Sequence, residues 1–293
     1  MVSEESEVTT SVRYCSLASS SKYGNAYLVD SGQTKILVDH GIPLRRLRAH
    51  LGRIDCDPRD IAAVFITHEH GDHSRAVTSK PRDIFRADCL AYATDGTWRA
   101  LGLVPNSPNH RAMGIGDPPV RIGDLEVVAI PKPHDAREPV GFIVSSADET
   151  LAVVTDLGQP TSTLREHLTG LHHYILESNY DVDMEMNSAR PRVLIDRVMG
   201  RRGHLSNRQA AHLLAEVMGP ATESILLAHL SLDCNCPQLA SEAVLKTIAN
   251  SHHRPFLMVA PPDGPSPWLG AVADHSPIRA CPDTGNYRFG FCE

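Results

Sequence analysis

Short apolar runs, separated by polar turns, set the rhythm of this chain. Val12–Leu17, Ala26–Val29 and Ile36–Asp39 are divided by Ser, Gly and Asn and predict a β-meander. Ile61–Ile66 is a continuous apolar run with β-branched and aromatic residues, the pattern of a strand buried on both faces. Leu125–Ile130, Val140–Ser145, Leu151–Thr155, Tyr174–Leu176, Ser224–Ala228 and Phe256–Val259 predict further strands. Helical spacing appears over Pro43–Leu51 and Ser162–Leu168. It is clearest after Ser206-Asn207-Arg208-Gln209, a capping box in which Ser and Gln satisfy free amides of the first turn. Leu213, Leu214, Val217 and Met218 then share one face until Gly219-Pro220 ends the helix. Pro237 opens another, with Leu239, Val244, Leu245 and Ile248. Between residues 74 and 120 the pattern gives a strand over Ala87–Ala93, a helix over Thr94–Leu101 and a loop over Pro105–Pro119. Strands and helices alternating in this way predict an α/β protein.

The chemistry is concentrated where the buried strand ends. Thr67-His68-Glu69-His70-Gly71-Asp72-His73 follows Ile66 directly, so four potential metal ligands fall within six residues. In α/β sheets the loops leaving strand ends are where ligands bind. Imidazoles with a carboxylate suit a divalent transition metal, and two such ions can share one activated water. The alternative is a polar loop that is merely rich in histidine. A dinuclear site needs more ligands, and strand position selects them among the 16 histidines. His134, Asp156 and His229 each follow a predicted strand, as the converging loops require. His172 and His173 precede one and belong at the opposite end of the sheet. His50, His167, His212, His252 and His253 fall on helices or their ends. Asp39, at the end of a strand and before Gly41, is placed to accept hydrogen bonds from the backbone of the histidine-rich loop, or else belongs to a surface turn.

Composition narrows the setting. The chain has 293 residues, 42% hydrophobic and 22% charged, enough for one large or two modest domains. Its net charge of −7 carries no global sign of a nucleic-acid partner, so any such partner needs a local basic patch. Seven cysteines without a framework spacing fit reduced thiols in a cytoplasm. Met1 to Thr10 is acidic and lacks an apolar core, and no run reaches the length of a membrane helix; no signal peptide, no membrane and a cytoplasmic location are expected. The division expected is a flexible acidic N-terminus over 1–10, a main folded domain over 11–260, and a loosely packed Pro/Gly-rich tail over 261–293.

The order His68-x-His70-x-Asp72-His73, His134, Asp156, His229 resembles the metallo-β-lactamase superfamily over about Ser11 to Ala260. The resemblance implies a four-layer αββα sandwich of two mixed β-sheets. It also implies that His68, His70 and His134 hold one divalent metal, zinc or manganese, that Asp72, His73 and His229 hold another, and that Asp156 bridges them. Finer motifs are Leu17-Ala18-Ser19-Ser20-Ser21-Lys22-Tyr23-Gly24-Asn25-Ala26, Pro133-His134-Asp135-Ala136, Thr155-Asp156-Leu157-Gly158, Glu177-Ser178-Asn179-Tyr180-Asp181, Gly203-His204-Leu205-Ser206-Asn207 and Ala228-His229-Leu230-Ser231. These resemble the YycJ/WalJ-type branch, and imply a DNA exonuclease that degrades duplex from 5′ ends and is associated with mismatch repair. The C-terminal motifs are also similar to ribonuclease Z, which implies a catalytic histidine at His204 supported by Glu177; Asp72 counts with them as a catalytic group. Cys234-Asn235-Cys236-Pro237 departs from that pattern and reads as small buried thiols or as an extra metal or redox pair.

One segment carries a substrate signal. Arg190, Arg192, Arg197, Arg201, Arg202 and Arg208 crowd the stretch containing His204, and guanidinium groups bind phosphate bidentately. The same residues would otherwise form a solvated helix face. The readings left open are a thioester or lactam hydrolase on the same metal site, a ribonuclease Z-like RNA-processing enzyme, and a non-enzymatic nucleic-acid-binding module.

Overall fold

The structure of the chain, a computed structural model, describes residues 11–77, 85, 88–249 and 254–270. Two seven-stranded sheets face each other. The first is built from β1 (Arg13–Ser20), β2 (Gly24–Asp30), β3 (Lys35–Val38), β4 (Ile61–Phe65), β5 (Leu90–Ala93) and β6 (His110–Ala112) in that order, with β14 (Leu269–Gly270) on the outer edge of β1. The second runs β13 (Phe256–Val259), β12 (Ser224–Ala228), β11 (His173–Glu177), β10 (Thr150–Val154), β9 (Val140–Ser145), β8 (Leu125–Pro131), β7 (Val120–Ile122). Both are mixed: β1 to β3 and β7 to β10 pair antiparallel, while β3 to β6 and β10 to β13 pair parallel.

Side-chain alternation sets the layers. Successive strand residues point to opposite faces. Leu151 and Val153 of β10 therefore enter the core between the sheets with Phe142, Tyr27 and Phe65, while Ala152 and Val154 face outward. Helices cover those outer faces. Leu47 and Leu51 of α1 (Leu44–Gly52) and Trp98 of α3 (Asp95–Ala100) pack on the first sheet. α4 (Ser162–Leu168), α7 (Asn207–Val217) and α8 (Pro237–Thr247) place Leu164, Leu213, Leu214, Val217 and Val244 on the second. The result is the αββα sandwich expected. Each large side chain withdrawn from water in these three cores contributes roughly 1.5–3 kcal/mol.

The capping box at Ser206 is present, with Gln209 bonding back to the Ser206 amide. Other elements depart from the sequence reading. Pro105–Pro119 contains β6, only three residues long, whose half-buried positions give no apolar run. α2 (Gly71–Ser74) and α5 (Val182–Met186) are also too short to display a helical repeat, and α6 (Arg192–Val198) buries only Ile195 and so shows no apolar face. The tail is not loose from its start: Leu269 and Gly270 pair with Tyr14 and Arg13, and the Arg13 guanidinium lies 4.4 Å over the Trp268 ring. A buried Leu269 and a stacked Trp268 anchor this stretch despite its prolines. Residues 1–10 and 271–293, with His252 and His253, lie outside the described residues. Among the described residues no helix is long and apolar enough to cross a membrane.

Candidate metal centre

Strands from both sheets stop at one place. β3 leads out to Asp39, β4 to the His68 loop, β10 to Asp156 and β12 to His229, while β11 ends on Glu177. Asp39, Asp156 and His229 take left-handed backbone, φ 62°, 52° and 57°. Non-glycine residues adopt this region at a cost and persist there where the surroundings demand it. Here it breaks each strand sharply and turns the side chain into the site. Gly41 permits the close approach: any side chain at that position would collide with the Asp72 carbonyl.

All seven sequence-derived ligand candidates converge. His68, His70 and His134 bring their ligand atoms within 4.8 Å of one another, and Asp72, His73 and His229 do the same. Asp156 lies between: Oδ2 is 2.7 Å from His73 Nε2, and Oδ1 is 3.7 Å from both His134 Nε2 and His229 Nδ1. The far nitrogen of four imidazoles is held by a neighbour. Thr67 Oγ1 meets His68 Nδ1 at 2.9 Å, Asp39 Oδ2 meets His73 Nδ1 at 2.6 Å, the Gly203 carbonyl meets His134 Nδ1 at 3.2 Å, and Glu177 Oε1 meets His229 Nδ1 at 2.9 Å. Such outer bonds fix the tautomer and orientation of metal-ligating histidines.

The inward-facing atoms fit divalent cations. His68 Nε2 and His229 Nε2 are buried without a hydrogen-bond partner. His134 Nε2 and His70 Nδ1 face each other at 3.3 Å. Unpartnered buried polar atoms are costly, and cations between them would satisfy the whole set. Burial drives His68 well below the usual imidazole pKa and His134 to about 4, so both offer lone pairs. His73 shows the same demand for positive charge. Burial opposes its protonation, but Asp156, Asp39 and Asp72 outweigh it and raise the group to about 10.

Glu177 and His204 stand beside this set. Glu177 is fully buried, and its oxygens accept from the amides of Asp156, Leu157 and Leu205 and meet Nδ1 of His204 and His229, each of the histidines at 2.9 Å. Asp156, Glu177, His204 and His229 also bring ligand atoms within 4.8 Å of one another, but five contacts occupy the Glu177 carboxylate, which suits it to positioning its neighbours. Burial alone would raise its pKa, but His204 and His229 hold it at about 2. The His204 side chain is 21% exposed, and its ring lies 5.3 Å from that of His134 and 5.4 Å from that of His229. Burial disfavours its protonated form, yet Glu177 carries the net shift upward.

The sequence reading missed several supports. Asn25 Nδ2 reaches the Asp72 carbonyl at 3.3 Å and His73 Nε2 at 3.0 Å, and Asn179 Nδ2 donates to the His229 carbonyl at 2.7 Å. An asparagine directly before the apolar run Ala26–Val29 of β2 was the available signal. Lys132 is buried and donates to the Thr155 carbonyl at 2.6 Å, bracing the loop that carries Asp156. Asp39 does more than foreseen, holding His73 as well as the Thr67 amide. Asp39→Asn weakens metal binding by about 10–100-fold, measured by competition with a chromophoric chelator, and unchanged affinity would count against its role.

The arginine run does not form one surface. Arg190 bonds Glu185 at 2.9 Å and Asp233 at 3.0 Å; Arg192 pairs with Asp196 at 2.9 Å and Arg197 with Asp135 at 2.5 Å. Arg202 donates to the His134 carbonyl at 2.9 and 2.8 Å and so steadies a ligand loop. Arg201 and Arg208 are exposed with no acidic partner among the described residues. Glu185 is fully buried, so Arg190→Ala strands its charge and lowers stability by roughly 3–5 kcal/mol in denaturant unfolding. A change below about 1 kcal/mol would contradict that pairing. Cys234 and Cys236 are free thiols, and no metal-ligand grouping among the described residues includes a cysteine.

The comparisons with known proteins agree with this geometry. Residues 34–230 match the model of the beta-lactamase superfamily domain. The chain is 31% identical over 236 residues to exodeoxyribonuclease YycJ of Bacillus anthracis, covering 80% of this chain and 88% of the relative. It is 29% identical over 245 residues to exodeoxyribonuclease WalJ of Streptococcus pneumoniae, covering 82% and 89%. Among solved structures, the metallo-β-lactamase fold protein YhfI of Bacillus subtilis shares the fold with a TM-score of 0.65 at 14% identity, over 87% of this chain and 99% of that one. Sandwich, ligand set and relatives together make this chain a metal-dependent hydrolase of the metallo-β-lactamase superfamily, in the branch that contains YycJ and WalJ.

Proposed function

We propose that this protein is a DNA exonuclease that removes nucleotides from the 5′ ends of duplex DNA, using two divalent ions, with mismatch repair as its setting. The observation that carries the reading is His204, held by Glu177 at 2.9 Å and next to both histidine groups without belonging to either. The 31% identity to an exodeoxyribonuclease supports the same substrate class.

His68, His70 and His134 would hold one ion and Asp72, His73 and His229 the other, with Asp156 shared. Bound there, zinc or manganese supplies Lewis-acid charge for the phosphodiester and lowers the pKa of attacking water. The protein does the rest. Asp39, Thr67, Gly203 and Glu177 fix the ligand rings, and Asn25 and Asn179 fix the loops. His204, kept protonated by Glu177, donates a proton to the departing alkoxide oxygen. Arg201 and Arg208 are the free guanidinium groups that contact the DNA backbone.

Offered duplex DNA, single-stranded DNA, a tRNA precursor, a thioester and a β-lactam, the metal-loaded enzyme hydrolyses duplex DNA preferentially. Hydrolysis confined to the thioester or lactam would overturn the proposal. The salt dependence of duplex binding is also expected to be steep. Arg201→Ala and Arg208→Ala each reduce the slope of log affinity against log salt by about one, and unchanged slopes would remove these residues from the DNA path.

A further inference from the structure

The catalytic centre uses the C-terminal ends of β10, β11 and β12. The opposite end of the same strands carries a second group of ligand side chains. His173, the first residue of β11, is fully buried, and its Nδ1 hydrogen-bonds Ser224 Oγ at 2.8 Å, which in turn bonds the Tyr14 hydroxyl at 2.9 Å. The ring is thus held on one side. On the other side its Nε2 is buried and has no hydrogen-bond partner. That nitrogen faces Glu149 Oε2 at 3.5 Å, and with an oxygen of Glu223 the three ligand atoms lie within 4.8 Å of one another.

The spacing separates a cation site from a simple ion pair. A charge-assisted N–H···O bond closes to about 2.7–2.9 Å. Ligand atoms on a tetrahedral zinc with bonds of ~2.0–2.1 Å stand roughly 3.4 Å apart. In the candidate metal centre Asp72 Oδ2 is likewise 3.5 Å from both His73 Nε2 and His229 Nε2, whereas Asp156 Oδ2 lies 2.7 Å from His73 Nε2. Two carboxylates beside an imidazole also balance a divalent charge, and the exposed Glu223 gives the ion a path from solvent.

We propose that Glu149, His173 and Glu223 form a separate structural binding site for a divalent transition-metal ion, zinc being the one that suits this donor set. The ion clasps the turn between β9 and β10, the start of β11 and the entry to β12. Glu149 Oε2 also accepts from the Val12 amide at 2.5 Å, so the clasp reaches the chain entering β1 of the other sheet. It lies four residues along β11 from Glu177, roughly 13 Å at ~3.3 Å per residue, and takes no part in the reaction.

The full-length protein, His173→Gln and Glu223→Lys would each be equilibrated with buffered free zinc, and zinc per chain counted by mass spectrometry alongside melting curves with and without zinc. Each variant is expected to hold one equivalent fewer than the parent and to show a smaller zinc-dependent rise in Tm. Glu223 is exposed, so Glu223→Lys keeps the test decisive if the buried substitution at His173 impairs folding. Equal zinc content and equal Tm shifts in the parent and Glu223→Lys would overturn the site and leave Glu149 and His173 as an ion pair.

Discussion

Asp156→Ala is expected to strip the catalytic centre of metal and to lower turnover by at least about 10³-fold. Asp156 approaches both histidine groups, lying 2.7 Å from His73 and 3.7 Å from His134 and His229. Its carboxylate is buried and held well below the usual pKa: burial opposes ionisation, but His229, His73 and His134 outweigh it. Removing it takes away the one anion common to the two groups and leaves several histidines facing one another. The check is metal content per chain together with the rate on duplex DNA. A variant that retained both metal and a rate within tenfold of the parent would show that Asp156 bridges nothing.

His204→Ala separates chemistry from metal binding. His204 lies outside the two histidine groups, so metal content stays at the parental level while kcat falls by about 10²–10⁴-fold, the usual worth of a positioned proton donor. The pH profile gives a second readout. Burial disfavours the protonated ring, but Glu177 raises its pKa on balance, so the donor stays protonated to higher pH and activity is lost as pH rises through that raised value. Glu177→Gln removes the carboxylate, and the alkaline limb of kcat moves to lower pH. An unmoved limb, or full turnover in His204→Ala, would assign proton donation elsewhere.

The seven candidate metal ligands could be brought together from the sequence because each lies on a loop that leaves an apolar run. Strand ends converge in an α/β sandwich, so His134, Asp156 and His229 could be placed beside the His68–His73 loop without knowing any angle. Glu177 and His204 needed the resemblance, since nothing in their spacing reveals a bond between side chains 27 residues apart. The outer bonds of Asn25, Asn179 and Lys132 were hidden for a related reason. They are tertiary contacts of single polar residues within or beside buried strands. The arginine run failed as a unit because sequence proximity says nothing about Glu185, Asp233 and Asp135, which fold back onto Arg190 and Arg197. β6 and β14 escaped because strands of two or three residues at a sheet edge carry no periodicity.

Digestion of duplex DNA labelled separately at each end, with zinc or manganese added and Asp72→Ala as control, tests the proposed activity most directly. Metal-dependent release of nucleotides from the 5′ label first, absent in the control, is the expected result. Release from the 3′ end, or no cleavage with either metal, would contradict it.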